Sequence, residues 1–88
     1  MPINVTAYKK TPEFTELSIP KGLLKSHQTK KNVWGKIVIL EGKLQYTINE
    51  PEIEIVVLTK NLHGIVEPEI PHEVKAMGKV SFYVEFYQ

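Results

Sequence analysis

The chain has 88 residues, a formal net charge of +1 and no cysteine. This length predicts a single domain, residues 1–88, and the lack of cysteine excludes both a disulfide framework and a thiolate metal site. All cations are lysine and all anions are glutamate, so the chain lacks the basic excess and the arginines of nucleic-acid binders. With no signal-peptide pattern and no membrane-length apolar run, we expect a cytoplasmic protein with neither nucleic acid nor membrane as a partner.

Residues 1–20 are predicted to form an extended arm. Asn4–Tyr8 is β-prone and short. Pro12 and Pro20 keep the segment extended, because a proline disfavours the helical region at the residue before it. Leu23–His27, after the next turn, is a short strand candidate.

The segment His27–Tyr46 contains the centre of the predicted fold. Val33–Leu40 is rich in β-branched residues and apolar on both faces apart from Lys36, which predicts a strand covered on both sides. A tight turn at Glu41–Gly42 is expected to lead into Lys43–Ile48, whose alternating pattern predicts a half-exposed strand.

The second half of the chain is predicted to contain further short strands. Glu52–Leu58 alternates, His72–Met77 begins a strand that Gly78 is expected to break, and Val80–Tyr87 closes the chain. About eight short strands at a spacing of roughly 8–12 residues, without helical periodicity, predict an all-β sandwich or barrel.

The last strand, Val80–Tyr87, has no clear solvent face. Its phenylalanines and valines alternate with Tyr83, Glu85 and Tyr87. A carboxylate among aromatic side chains is costly unless it is satisfied, so Glu85 needs a metal, a hydrogen-bond donor or a cation such as Lys36.

Apolar residues near both chain ends predict a homodimer. A domain this small cannot enclose them all in one barrel, and leaving them exposed would create a large apolar patch. Pairing around a two-fold axis would cover them. The alternative is that the arm folds back over the last strand of its own chain. The arm residues concerned are Ile3, Val5, Phe14, Leu17 and Ile19.

Three stretches carry a resemblance to a known family: HQTKKNVWGKIVILEG from His27, IVEPEIPHEV from Ile65, and FYVEFY from Phe82. With them, the chain resembles the tellurite-resistance TehB/YeaR-like small cupin family over nearly its whole length. The resemblance implies a cupin fold, that is, a double-stranded β-helix or jelly-roll barrel, and a role in stress response. Some relatives precede a methyltransferase domain, but no glycine-rich cofactor loop is present here, so methyl transfer is not carried over.

The resemblance also implies a metal site. In the cupin superfamily two motifs usually supply four ligands, and His27 and His72 match two of them. Thr29 and Trp34 stand where another histidine and a glutamate are usual, which makes Glu85 the candidate for a missing ligand. Two imidazoles and a carboxylate suit zinc, iron or nickel, with positions left for water or substrate. The alternative for His72 is a core histidine hydrogen-bonded to backbone.

Four further residues are expected to line a pocket in the barrel: Trp34, Lys36, Tyr46 and Tyr83. Trp34 can equally be a core anchor, and Lys36 can guard a strand edge. With no nucleophile–base arrangement recognisable, two functions stay open. One is a metal-binding protein whose reaction is unknown. The other is a non-enzymatic binder of a small oxyanion or organic molecule, favoured by the Lys30–Lys31 loop and the aromatic residues.

Overall fold

The computed structural model describes Met1 to Gln88 and is almost entirely β-structure. Its strands are β1 (Ala7–Lys10), β2 (Phe14–Thr15), β3 (Trp34–Ile48), β4 (Glu54–Leu58), β5 (Gly64–Val66) and β6 (His72–Tyr87). A short 3-10 helix at Lys21–Leu24 replaces part of the predicted strand Leu23–His27. The prediction of a small all-β domain is confirmed. None of the helical structure has the length and apolar character needed to cross a membrane.

The framework of the fold is the antiparallel pair of β3 and β6. The pair extends from Trp34 opposite Tyr87 to Ile48 opposite His72. The strand order is β1-β6-β3-β4, with β2 also beside β6 and β5 also beside β3. The sheet therefore has two open edges, one formed by β1 and β2 and the other by β4 and β5, and it does not close into a complete barrel.

The predicted turn at Glu41–Gly42 is wrong, because β3 runs through it as one strand of 15 residues. Its register against β6 shifts instead on both sides of this dipeptide. Gly42 has a φ of +78°, and a Cβ there would lie 1.9 Å from the carbonyl oxygen of Lys79. Such bulges bend a strand and increase its twist. Gly78, with a φ of +86°, likewise lies within β6 and does not break it.

The bend brings the two ends of the long strand pair onto one core. β5 pairs with the beginning of β3, yet the hydroxyl of Tyr46 near the end of β3 donates to the Ile65 carbonyl at 3.1 Å. The packing is tight where they meet, since a Cβ on Gly64 would lie 2.8 Å from a methyl carbon of Leu58. The buried core contains Ile37, Ile39, Leu44, Tyr46, Leu58, Val66, Val74, Val80, Phe82 and Val84.

The N-terminal arm lies along β6 of its own chain. β1 pairs with the end of β6, and β2 pairs with its middle. Between them, the Thr11 amide donates to the Val84 carbonyl and the Thr11 hydroxyl accepts from the Val84 amide, both at 2.9 Å. The Glu16 carboxylate accepts from the Val80 amide at 3.1 Å. The arm thus covers the last strand in cis, which removes the reason for a dimer at the chain ends; the homodimer itself stays a prediction.

Candidate functional site

The most prominent concave feature is a cavity of about 510 Å³ between the sheet and the arm. Most of its wall is apolar. The sheet contributes alternate residues of β3 and β6, and the arm and the following loop close the other side. The principal lining residues are Tyr8, Phe14, Pro20, Leu23, Val33, Gly35, Ile37, Val66, Val74, Phe82, Val84 and Phe86.

Two histidines stand side by side in this wall. The backbone of His27 exchanges both hydrogen bonds with the backbone of His72, at 2.9 and 2.8 Å, in an isolated antiparallel bridge. Their ring centroids are 4.1 Å apart and the ring planes are inclined by 60°. His72, the first residue of β6, is buried, whereas His27 is half-buried. No local pattern predicts this contact, since 44 residues separate the two histidines; only the family resemblance assigned both to one site.

The hydrogen bonds of the two rings fix their tautomers. The Nδ1 atom of His27 lies 2.9 Å from the Lys25 carbonyl, and that of His72 lies 2.9 Å from the Ile70 carbonyl. A carbonyl only accepts, so Nδ1 carries the hydrogen in both rings. In the neutral form each Nε2 then has a free lone pair, which can accept a hydrogen bond or bind a metal.

The environment favours the neutral form of the buried ring. Burial lowers the pKa of His72, and the adjacent His27 lowers it further, although the hydrogen bond to the Ile70 carbonyl acts in the opposite direction. No acidic side chain lines the cavity, whereas two lysines, Lys9 and Lys30, do. The site therefore combines an apolar wall, two hydrogen-bond acceptors and positive charge at exposed positions.

Glu85 is not brought to the histidines. It alternates along β6 with Val84 and Phe86, which line the cavity, and it pairs in register with Lys36 and Lys10 of the neighbouring strands. Its carboxylate accepts a hydrogen bond of 2.6 Å from the Tyr87 hydroxyl, which raises the pKa of Tyr87. This donor satisfies the carboxylate. No group of three potential ligands among histidine, cysteine and acidic residues comes together in the chain.

The four residues expected to line the pocket lie outside the cavity. Trp34 and Lys36 alternate along β3 with Gly35 and Ile37. Because Gly35 and Ile37 face the cavity, Trp34 and Lys36 lie on the opposite face of the sheet. Tyr83 likewise alternates with lining residues, and its ring carries the Lys10 ammonium at 4.8 Å. Tyr46 lies behind the site, with its ring 5.8 Å from that of His72.

Sequence reasoning missed the contribution of the arm to this wall. Tyr8, Phe14 and Leu23 were treated as interface or strand residues, whereas all three line the cavity. The prolines of the arm were the available signal, because they keep the segment extended. An extended segment with scattered apolar side chains can cover one face of a sheet without being a helix.

Comparison with known proteins gives the family. The model of the TehB-like domain matches residues 9–84. Two Haemophilus influenzae proteins, each named a probable S-adenosyl-L-methionine-dependent methyltransferase TehB, are 35% and 32% identical over 75 residues. That stretch is 81% of this chain but only 26% of each relative, so the chain spans about a quarter of the length of the curated relatives it matches.

Solved structures show the same relationship. The crystal structure of TehB from Haemophilus influenzae matches with a TM-score of 0.89 at 30% identity, over 99% of this chain and 32% of that one. A protein from E. coli strain K12 matches with a TM-score of 0.88 at 20% identity, over 100% and 94% of the two chains. A cupin-2 domain protein from Shewanella frigidimarina matches with a TM-score of 0.59 at 12% identity, over 92% and 64%. The chain belongs to the TehB-like family and has a cupin-like fold, as its sequence resemblance predicted.

Proposed function

We propose that the chain binds a small, mainly apolar molecule in the cavity between the sheet and the arm, with His27 and His72 recognising its polar group. The observation that carries this proposal is a pair of acceptor nitrogens in a mainly apolar wall. Ligand sites usually have this composition: apolar surface for affinity and a few placed polar groups for orientation.

The histidines and lysines around the cavity restrict the kind of head group that the ligand can have. A neutral imidazole Nε2 accepts from a donor such as a hydroxyl group, whereas an ionised carboxylate binds there only if one ring takes up a proton from solvent. Lys9 and Lys30 favour a negative charge near the opening. An apolar body with a weakly acidic head group fits both requirements.

A divalent metal is the second candidate. Histidines that bind metals usually donate their other ring N–H to a carbonyl or carboxylate, and the Nδ1 atoms of His27 and His72 lie at such distances from backbone carbonyls. Zinc, iron or nickel would be held by two Nε2 atoms, with water or a bound small molecule completing the shell. The sequence-based proposal of Glu85 as a third ligand is not supported by its position, because it pairs with Lys36 and Lys10 instead.

A titration followed by amide NMR signals tests the main proposal. The probes are octanoate and 1-octanol, which share an apolar tail, and tellurite, an oxyanion without one. We expect saturable shifts at cavity residues with octanoate, and weaker binding of octanol. Val33→Trp, which adds volume to the cavity wall, should abolish the shifts, whereas Leu17→Trp at an exposed arm position should not. Absence of saturable shifts with both octyl probes would overturn the proposal, and saturation by tellurite alone would replace it with an oxyanion site.

The metal candidate is tested with protein purified without an affinity tag. A metal that binds the folded state raises the thermal midpoint, so zinc, nickel or iron(II) should raise it in the wild type. His27→Gln and His72→Gln should each remove the effect, and His63→Gln, which changes a histidine outside the cavity, should not. An equal response in all four proteins would exclude this site.

A further inference from the structure

Strand β4 exposes a row of large apolar side chains at an open edge of the sheet. It pairs with β3 on one side only and is last in the strand order. Ile53, Ile55 and Val57 are 71%, 62% and 40% exposed. Because alternate residues of a strand share a face, Ile55 and Val57 lie together on the side away from the core, and the exposed Ile53 immediately precedes the strand.

The neighbouring strands show that this stripe is local. On the same face, β3 presents Gln45 and Thr47, which pair with Val57 and Ile55. The next strand, β6, presents Lys75 and Glu73 opposite those residues. At these paired positions the solvent face is thus charged on β6, polar on β3 and apolar on the outermost strand, although Met77, further along β6, is also 44% exposed. Folded proteins usually protect such an edge with lysine, proline or a bulge, and Glu54–Leu58 contains none of these.

We propose that this edge binds a second copy of the chain, with β4 pairing antiparallel to its symmetry mate around a two-fold axis at Val56. In this register Ile55 lies opposite Val57 of the second copy, and the reverse contact follows from the symmetry. Directly opposed aliphatic side chains on one face stabilise a strand pair. The open backbone groups of each edge are satisfied at the same time.

Charge complementarity supports this register, in which the two apolar residues Ile55 and Val57 also face each other, and it supports a second copy as the occupant. Glu52, in a bend before β4, and Lys60, in the turn after it, are each four residues from Val56 along the chain, and both are exposed. A two-fold axis at Val56 brings Glu52 of each copy to Lys60 of the other, so the edge is complementary to itself at both ends. The interface is independent of the ligand cavity, which lies on the other face of the sheet, and it differs from the dimer at the chain ends that the sequence predicted.

Sedimentation over a concentration series tests the association. We expect the wild type to form dimers in the micromolar range, and Ile55→Lys to raise the dissociation constant at least about thirty-fold, since it opposes apolar side chains with charge. Leu17→Lys is the matched control, because Leu17 is 91% exposed on the arm, and it should leave the dissociation constant unchanged. A monomeric wild type, or a dimer equally sensitive to both substitutions, would overturn the proposal.

A charge exchange tests the register. Glu52→Lys and Lys60→Glu each place like charges together twice in the dimer, so each should weaken association about five-fold or more. The double variant restores opposite charges and should return to the wild-type dissociation constant. Any other register, or an extended segment of a different protein as the natural occupant, predicts additive or absent effects, and that result would overturn the symmetric pairing.

Discussion

His27 and His72 are joined by two reciprocal backbone hydrogen bonds while their rings stand 4.1 Å apart in the cavity wall. The bridge fixes the backbone of the loop that contains His27 to the start of β6, and the hydrogen bond from each Nδ1 to a backbone carbonyl orients the two rings. Protonation of both rings would place two positive charges at this distance. The neutral form of His72 is therefore favoured, and the stability of the fold and the proposed ligand binding depend on the same proton.

The first prediction concerns pH. The pKa of His72 is lowered in the folded state by burial, whereas an unfolded histidine titrates near about 6.5. The folded chain then binds fewer protons, so this contribution to stability is complete above pH ~6.5 and is lost as the pH falls towards the folded pKa. Urea unfolding between pH 7.5 and 5 should show stability falling by up to about 1.4 kcal/mol per pH unit.

His72→Gln is the corresponding control, since it removes the titrating group and should flatten this slope. His27→Gln should reduce it only in part, because His27 contributes less than burial to the lowered pKa. The other lowered pKa, that of Glu16, acts below pH 4.5 and lies outside this range. An unchanged slope in His72→Gln would show that another group controls the acid response.

The sequence predicted the strands better than the ends and faces of the strands. Alternation identified Lys43–Ile48 correctly as β-structure, and it identified Glu52–Leu58 except for its first two residues, since the strand begins at Glu54. Gly42 and Gly78 were interpreted as a turn and a break, because turns and bulges both need a residue with positive φ and the sequence cannot distinguish them.

The difficulty of predicting strand faces from the sequence also affected the prediction of the site residues. Family resemblance selected His27 and His72, and the structure brings them together. Glu85 and Lys36 are predicted site residues because each is a charge in a mainly apolar strand, but a shift of one position moves a side chain to the other face of a sheet. Only the register of β3 against β6 places Gly35 and Val84 in the cavity wall and these two charges outside it.

The second prediction separates the two glycines with positive φ. Gly42→Ala should destabilise the fold by more than about 3 kcal/mol, because left-handed backbone costs about 1–2 kcal/mol and its Cβ would also meet the Lys79 carbonyl. Gly78→Ala has the same backbone cost, but its Cβ would stand in open space. It should therefore lower the free energy of unfolding only by the backbone cost of about 1–2 kcal/mol. Chemical denaturation measures the free energy of unfolding of both variants. Equal losses of stability would contradict a steric contact between residue 42 and the Lys79 carbonyl.

The third prediction concerns the attachment of the arm. Thr11→Val keeps the shape of the side chain but removes the acceptor of the Val84 amide. An amide left without a partner costs about 1–3 kcal/mol, so hydrogen exchange at Val84 should accelerate and stability should fall by that amount. Thr6→Val, an exposed arm position, should change neither quantity. If both variants behave alike, the Thr11 hydroxyl does not hold the arm to β6.

The last prediction tests the core behind the cavity through Tyr46. Its hydroxyl donates to the Ile65 carbonyl, and burial, together with Glu67 and Glu54, raises its pKa to about 12. An unfolded tyrosine titrates near about 10. In the folded state the Tyr46 hydroxyl therefore keeps its proton to a higher pH. This contribution to stability is complete below pH ~10 and is lost as the pH rises towards 12.

Tyr46→Phe should cost about 1 kcal/mol at pH 7 from the lost hydrogen bond, and should remove most of the stability loss between pH 10 and 12. Octanoate binding should be unchanged, because Tyr46 does not line the cavity. Tyr87→Phe is the matched control, since its hydrogen bond to Glu85 lies at the outer part of the sheet, and at pH 7 it should cost less than Tyr46→Phe. Weaker octanoate binding in Tyr46→Phe alone would mean that this hydroxyl positions the His72 ring, and the cavity wall would then have to include it.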